Sequence, residues 1–243
     1  MLGALCWDET KKHGISLERT QVCGLPVLQA RVRPGGRWEH ERIARAARML
    51  YGQGIRRILL PRAPLTQELL CRQGLSIVEP LALYRAMAAH MVLAELERRG
   101  MGPERSTVIL RGEYADSDLA RTAWLLCPRV RQLVLDVSVG GDRLARELYW
   151  QYGAAVCLRG QEQAQISVCF DGEKRDSELA LCRPEPELLG MELRVDGLDV
   201  PEDLEPASVL TALWQAGRVP DRNIRVLFGA DAPTGPTCAN KTP

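Results

Sequence analysis

Residues 107–158 read TVILRGEYADSDLARTAWLLCPRVRQLVLDVSVGGDRLARELYWQYGAAVCL, and this stretch decides the fold class. Positions 107–110 form a short apolar run of strand type. Positions 116–126 carry apolar residues at helical spacing, with Ser117 placed to cap them. A second apolar run follows at 132–137, then the Gly140-Gly141 turn, with Asp142 placed to cap the helix at 143–152 that Gly153 closes. A third strand covers 154–158. Strand, helix, strand, helix, strand in about 50 residues is the βαβαβ unit of a parallel sheet, so the fold class is α/β.

Working outward, the same rhythm extends both ways. On the amino side, 21–33 is strand-like and broken at Gly24-Leu25-Pro26, which predicts a hairpin. A helix at 38–51, a strand at 55–60, a helix at 65–73 and a strand at 75–78 follow. Pro80 then opens a long helix to about residue 99. On the carboxyl side, strands are predicted at 166–170, 178–182, 191–195 and 224–228, and a helix at 208–216. The tail from residue 230, with three prolines, reads as flexible. The Gly- and Pro-containing stretch 100–106 is the natural joint. It separates a small N-terminal α/β domain with a long connecting helix, 1–100, from a parallel-sheet domain, 101–229, and the tail 230–243. Charge supports that division. Lys and Arg outnumber Asp and Glu by sixteen to nine before residue 101, and are outnumbered by sixteen to twenty-two after it.

The whole chain has 243 residues, 46% of them hydrophobic and 26% charged, with a net charge of +1. That balance argues against a chain committed as a whole to nucleic acid or to an acidic membrane surface. No apolar run reaches the roughly 18 residues of a spanning helix, and the amino terminus lacks a basic start before its short apolar stretch, unlike a secretory signal. Eight cysteines at wide, irregular spacing contain no C-x-x-C pair. Several lie in apolar runs, such as Leu69-Leu70-Cys71, which predicts reduced core thiols and a cytoplasmic location. The histidines, His13, His40 and His90, share no metal-ligand spacing with one another or with a cysteine, so no metal site is expected.

The turn after the first strand of the βαβαβ unit is where such a fold binds a dinucleotide. Gly112 lies there, and Asp136 closes the second strand 24 positions later, near the spacing of about 20 at which an acid holds a ribose hydroxyl. On Gly112, Asp136 and the strand-helix rhythm, residues 107–158 resemble the Rossmann domain of NAD(P)-dependent dehydrogenases. The resemblance implies a glycine-rich turn on the pyrophosphate and an acid on the ribose. The turn Arg111-Gly-Glu-Tyr-Ala-Asp-Ser-Asp118 departs from that pattern: it has one glycine instead of three, with Tyr114 at the second position. Glu113, Asp116 and Asp118 place three carboxylates where a pyrophosphate would sit. Two unit charges about 4 Å apart repel by about 4 kcal/mol at an effective dielectric of about 20, which opposes the modest attraction of a helix terminus. The residues therefore favour no cofactor over NAD(P). A second opening, Gly140-Gly141, reads first as a tight turn and second as a ligand approach.

Arg42, Arg45 and Arg48 form a polar stripe, a candidate for phosphate contacts, although nearby aromatics for base stacking are limited to Trp38 and Tyr51. Nucleic acid is thus disfavoured as a partner. No G-x-S-x-G, G-x-x-x-x-G-K-[ST] or H-E-x-x-H motif occurs, so no catalytic residue is assigned. The leading expectation is a non-catalytic binding or regulatory protein with a degenerate cofactor site. Its partner would be a protein or a small ligand, and a homo-oligomer is compatible with it. The alternative is an unconventional NAD(P)-dependent oxidoreductase using Gly112 and Asp136, with its substrate between the two domains.

Overall fold

A computed structural model describes residues 1–8, 14–62, 67–158, 164–173, 175–182 and 185–229. The expected tail 230–243 and His13 lie outside the described residues. The fold is α/β, built from two five-stranded sheets and a separate two-stranded one. The chain divides into two compact units, 1–80 with 194–225, and 81–193 with 226–243. Segment 81–98 thus belongs with the second unit, and 194–225 with the first, where the sequence reading had put each on the other side of its joint.

In the first unit, β1 (Leu2–Trp7) is the central strand, with order β2-β3-β1-β4-β5. It runs parallel to β3 (Leu25–Val32) and to β4 (Arg57–Leu59), and β5 (Ser76–Ile77) extends the sheet in parallel. Only β2 (Ile15–Val22), the hairpin partner of β3, runs antiparallel. The hairpin turns on Cys23 and Gly24, both at positive φ (48° and 81°), the pattern of a two-residue type I′ turn. Helix α1 (Glu39–Gly52) lays Ile43, Ala46, Ala47 and Leu50 on a core that includes Leu5, Leu28, Val32 and Ile58, with α2 (Gln67–Arg72) adding Leu70. In the 194–225 segment, Ser208 Oγ donates to the Val78 carbonyl (3.0 Å) and accepts from the Leu60 N–H (3.3 Å).

The second unit begins with helices. The single helix expected over 80–99 is instead α3 (Leu81–Ala86) and α4 (Ala88–Arg98), separated at Met87, which leaves helical geometry at φ −93°, ψ 4°. The sheet follows, all parallel, in order β10-β9-β6-β7-β8. Its strands are β6 (Thr107–Tyr114), β7 (Gln132–Val139), β8 (Cys157–Leu158), β9 (Ile166–Cys169) and β10 (Leu179–Ala180). Crossover helices α5 (Ser117–Leu126) and α6 (Gly141–Tyr152) connect β6 to β7 and β7 to β8. Strand β6 is four residues longer than its apolar run because its ladder with β7 continues to the Tyr114–Val139 pair. β11 (Met191–Val195) and β12 (Ile224–Phe228) make the two-stranded sheet, and α7 (Pro206–Gln215) precedes β12. Among the described residues no helix is long and apolar enough to cross a membrane.

Candidate functional site

In the second unit the chain steps from β6 to β7 on one side, and β9 returns to flank β6 on the other. That reversal makes the carboxyl end of β6 the position where an open parallel sheet offers a crevice. One row of residues crosses it, since Arg111 on β6 is in register with Asp136 on β7 and with Cys169 on β9.

Arg111 is the hub. Its Nη1 donates to Glu178 Oε2 at 2.7 Å and to the Glu173 carbonyl at 3.4 Å, and its Nε donates to Asp136 Oδ2 at 3.4 Å. Glu178, whose side chain is 1% exposed, also accepts from Ser167 Oγ (2.5 Å) and from the Arg175 N–H (2.9 Å). A buried carboxylate needs this much compensation for its lost hydration. Burial alone would lower the pKa of Arg111, but the hydrogen bond and charge of Glu178 outweigh it and raise the value. Beside this pair, burial first, and then the charge of Glu178 and the neighbouring Cys182, push the Cys169 thiol up to about 11. Asp136 remains the solvent-facing member, 38% exposed, with Arg175 Nη2 3.9 Å away.

The N-terminus of α5 opens onto the same edge. Asp116 caps it by accepting from the N–H groups of Asp118 (3.0 Å) and Leu119 (2.8 Å). The cap is one residue earlier than the Ser117 read from the sequence, because Asp116 is the residue held in extended geometry. Arg85 of α3 lies 3.5 Å from the Asp116 carboxylate and donates to the Leu181 carbonyl (2.9 Å) and the Phe170 carbonyl. Tyr114, at the exposed end of β6, has its pKa raised by the charge and hydrogen bond of Glu113 and, more weakly, by Asp171, which marks the rim as acidic.

Gly112 lies within β6. A Cβ there would meet Leu119 Cδ1 at 3.2 Å, so its missing side chain lets α5 pack close to the strand. Gly140, in left-handed geometry at φ 85°, is the N-cap of α6, so Asp142 is not the cap expected for that helix. A Cβ on Gly140 would lie 3.3 Å from Ala115 Cβ, and one on Gly141 would lie 3.4 Å from Val137 Cβ. Both glycines therefore serve the close approach of neighbouring backbone.

The arginine stripe belongs to the first unit. Arg42 is spent on the loop before α1, donating to the carbonyls of Arg33 (3.2 Å) and Gly35, while Arg45 and Arg48 remain exposed. The seven described cysteines are free. Cys6, Cys127, Cys169 and Cys182 are buried, but Cys71, expected in the core, is exposed because Leu70 takes the inward position on α2. No set of three His, Cys, Asp or Glu side chains converges on a metal position among the described residues. An open cavity of about 650 Å³ lies between Leu93, Met101, Pro103 and Arg129. Its wall residue Pro103 accepts from the Arg131 N–H just before β7, which puts the cavity at the amino ends of the strands and away from the Arg111 row.

The sequence reading missed Glu178, Ser167 and Arg85. One signal pointed toward them: Arg111 prolongs an apolar strand, and a cation in such a strand needs a carboxylate from elsewhere in the fold. No protein-family model matches this chain, and no curated protein matches it in sequence.

Proposed function

We propose that this chain is a binding protein that performs no hydride transfer, with a Rossmann-like second unit whose anion position is filled by its own side chain. One observation carries the reading: the Asp116 carboxylate accepts the N–H groups of Asp118 and Leu119 at the start of α5, where a dinucleotide-binding fold presents its N–H groups to a pyrophosphate. A phosphate placed there would have to displace this carboxylate and then meet Glu113 and Asp118. Supporting it, Arg111 is held by Glu178 and Asp136 and is not aimed at a ligand.

A second reading, an unconventional NAD(P)-dependent oxidoreductase, draws on the exposure of Asp136 at the end of β7, where such an acid would meet a ribose. Thermal unfolding with NAD, NADH, NADP and NADPH separates the two. A ligand at about 100 times its dissociation constant adds about 2.7 kcal/mol to stability, a clear shift in midpoint. No shift is expected with any of the four. A saturable shift with one of them, lost in Asp136→Ala, would overturn the first reading and make the chain a candidate for the second, which turnover of the bound dinucleotide would then test.

A further inference from the structure

The outward face of α6 has no role in the carboxyl-edge network. The helix buries Gly141, Leu144 and Leu148. On its opposite side, at intervals of three, four and seven, stand Arg143, Arg146, Glu147 and Trp150. Trp150 is 83% exposed and its neighbour Tyr149 57%. The two rings meet edge to face at 6.3 Å, and Tyr152 meets Trp124 of α5 in the same way at 5.8 Å. Tyr152, four residues after the buried Leu148, turns toward α5, so the aromatics of the outward face are Trp150 and, beside it, Tyr149. Aromatic clusters with charged neighbours are the composition of interface centres, and arginine, tryptophan and tyrosine dominate binding hot spots. α6 also follows β7 into β8, the edge strand of its sheet.

We propose that this face is a self-association surface, on which α6 of a second copy of this chain packs antiparallel about a two-fold axis. The order of charges selects that occupant. With the axis between Arg146 and Glu147, the Arg143 guanidinium lies over the ring of the partner subunit's Trp150, and Arg146 lies beside the partner subunit's Glu147. Each contact occurs twice, as an isologous interface requires. The first is a cation–π contact and the second an ion pair. A parallel arrangement would instead set Arg143 on Arg143, Arg146 on Arg146 and Glu147 on Glu147. In the single chain, Arg143 Nε holds Glu147 Oε1 at 2.9 Å, with side chains 82% and 43% exposed. A pair this exposed is worth little, so exchanging it for contacts across the interface costs little. The inference concerns a different surface from the carboxyl edge and holds whichever ligand that edge takes.

Sedimentation equilibrium of the full chain at physiological salt tests it. The 27.0 kDa chain should sediment at twice its mass at high concentration. Trp150→Ala should weaken the dimer by about thirtyfold or more. Glu147→Arg puts two arginines together at each of two symmetric places, Arg146→Glu does the same with carboxylates, and each should weaken the dimer by about tenfold or more. The double variant Arg146→Glu/Glu147→Arg restores opposite charges across the axis and should bring the affinity back to within a few-fold of the original. All four variants change exposed or half-exposed side chains, so helical circular dichroism should be unchanged and confirms that each is folded. A chain that stays monomeric at the highest concentration overturns the proposal. So does a dimer indifferent to Trp150→Ala, or a double variant no tighter than its parents. Mass is read here and ligand binding in the dinucleotide titration, so the two proposals fail separately.

Discussion

Replacing Arg111 by Met should be more damaging than replacing Arg111 and Glu178 together. In the single variant Glu178, 1% exposed, keeps its hydrogen bonds from Ser167 Oγ and the Arg175 N–H but loses the guanidinium at 2.7 Å. Breaking a buried pair from one side costs about 3–5 kcal/mol, because an uncompensated charge is left behind. Glu178→Gln alone leaves Arg111 with Asp136 at 3.4 Å and the Glu173 carbonyl at 3.4 Å, and should cost about 1–2 kcal/mol. In the double variant, Arg111→Met with Glu178→Gln, no charge is stranded. The Gln carbonyl can still accept from the Arg175 N–H, and the Ser167 hydroxyl can turn to accept from the new amide. The double variant should therefore lose only about 1–2 kcal/mol, a coupling of about 4 kcal/mol relative to the sum of the singles. Urea unfolding gives the global values. Hydrogen exchange of peptides over 107–114 and 166–170 assigns the loss to β6 and β9. Additive single costs, or an Arg111→Met variant within about 1 kcal/mol of the parent, would refute the reasoning.

Three further outcomes are expected. Glu95 is buried in α4; burial raises its pKa, but hydrogen bonds and charge from Arg98 and Arg99 outweigh that and hold it below the ordinary 4.5. A lowered folded pKa contributes stability that is full above the unfolded value and lost as pH falls through the folded one, so acid titration of Glu95→Gln should show a shallower loss below about pH 4.5 than the parent. Burial pushes the Cys6 thiol up to about 12, with Asp203 adding to it, and the Cys169 thiol up to about 11. Iodoacetamide at pH 8, read by peptide mass spectrometry, should therefore label exposed Cys71 well before Cys6 and Cys169, which it should reach only after denaturant is added. Gly140→Ala should cost about 1–3 kcal/mol in thermal unfolding, since φ 85° and a Cβ 3.3 Å from Ala115 both oppose it.

How much of this was legible in the sequence depends on the range over which each feature is decided. The βαβαβ unit and α1 are local, and apolar spacing with turn residues located them; of the hairpin, the turn and β3 were legible, but β2 was read only from residue 21, because its mixed stretch Ile15–Thr20 shows no buried run. β1 was not found, although it is the central strand of its sheet. Leu2–Trp7 is buried on both faces between two parallel neighbours, so it shows a continuous apolar run and no alternation. At an amino terminus such a run is easily weighed only as a targeting segment. The end of β6 was placed too early for a related reason. Past Leu110 the strand is held by its ladder with β7, and polar residues at 111–114 carry no apolar signal of it.

The same distinction governs the candidate site. A glycine and an acid 24 positions apart are compatible with dinucleotide binding, but each has a use that spacing does not reveal: Gly112 admits Leu119 of α5, and Asp136 receives Arg111. Glu178, which binds Arg111 most closely, is 67 residues away along the chain. Motif spacing describes which side chains reach one edge of the sheet, whereas ligand binding depends on which of them are still uncommitted after the chain has paired its own charges. At this edge Arg111, Glu178 and the α5 N-terminus are already paired internally. Asp136 is the one member of the Arg111 row whose carboxylate also faces solvent, and it is therefore the residue on which the two functional readings diverge.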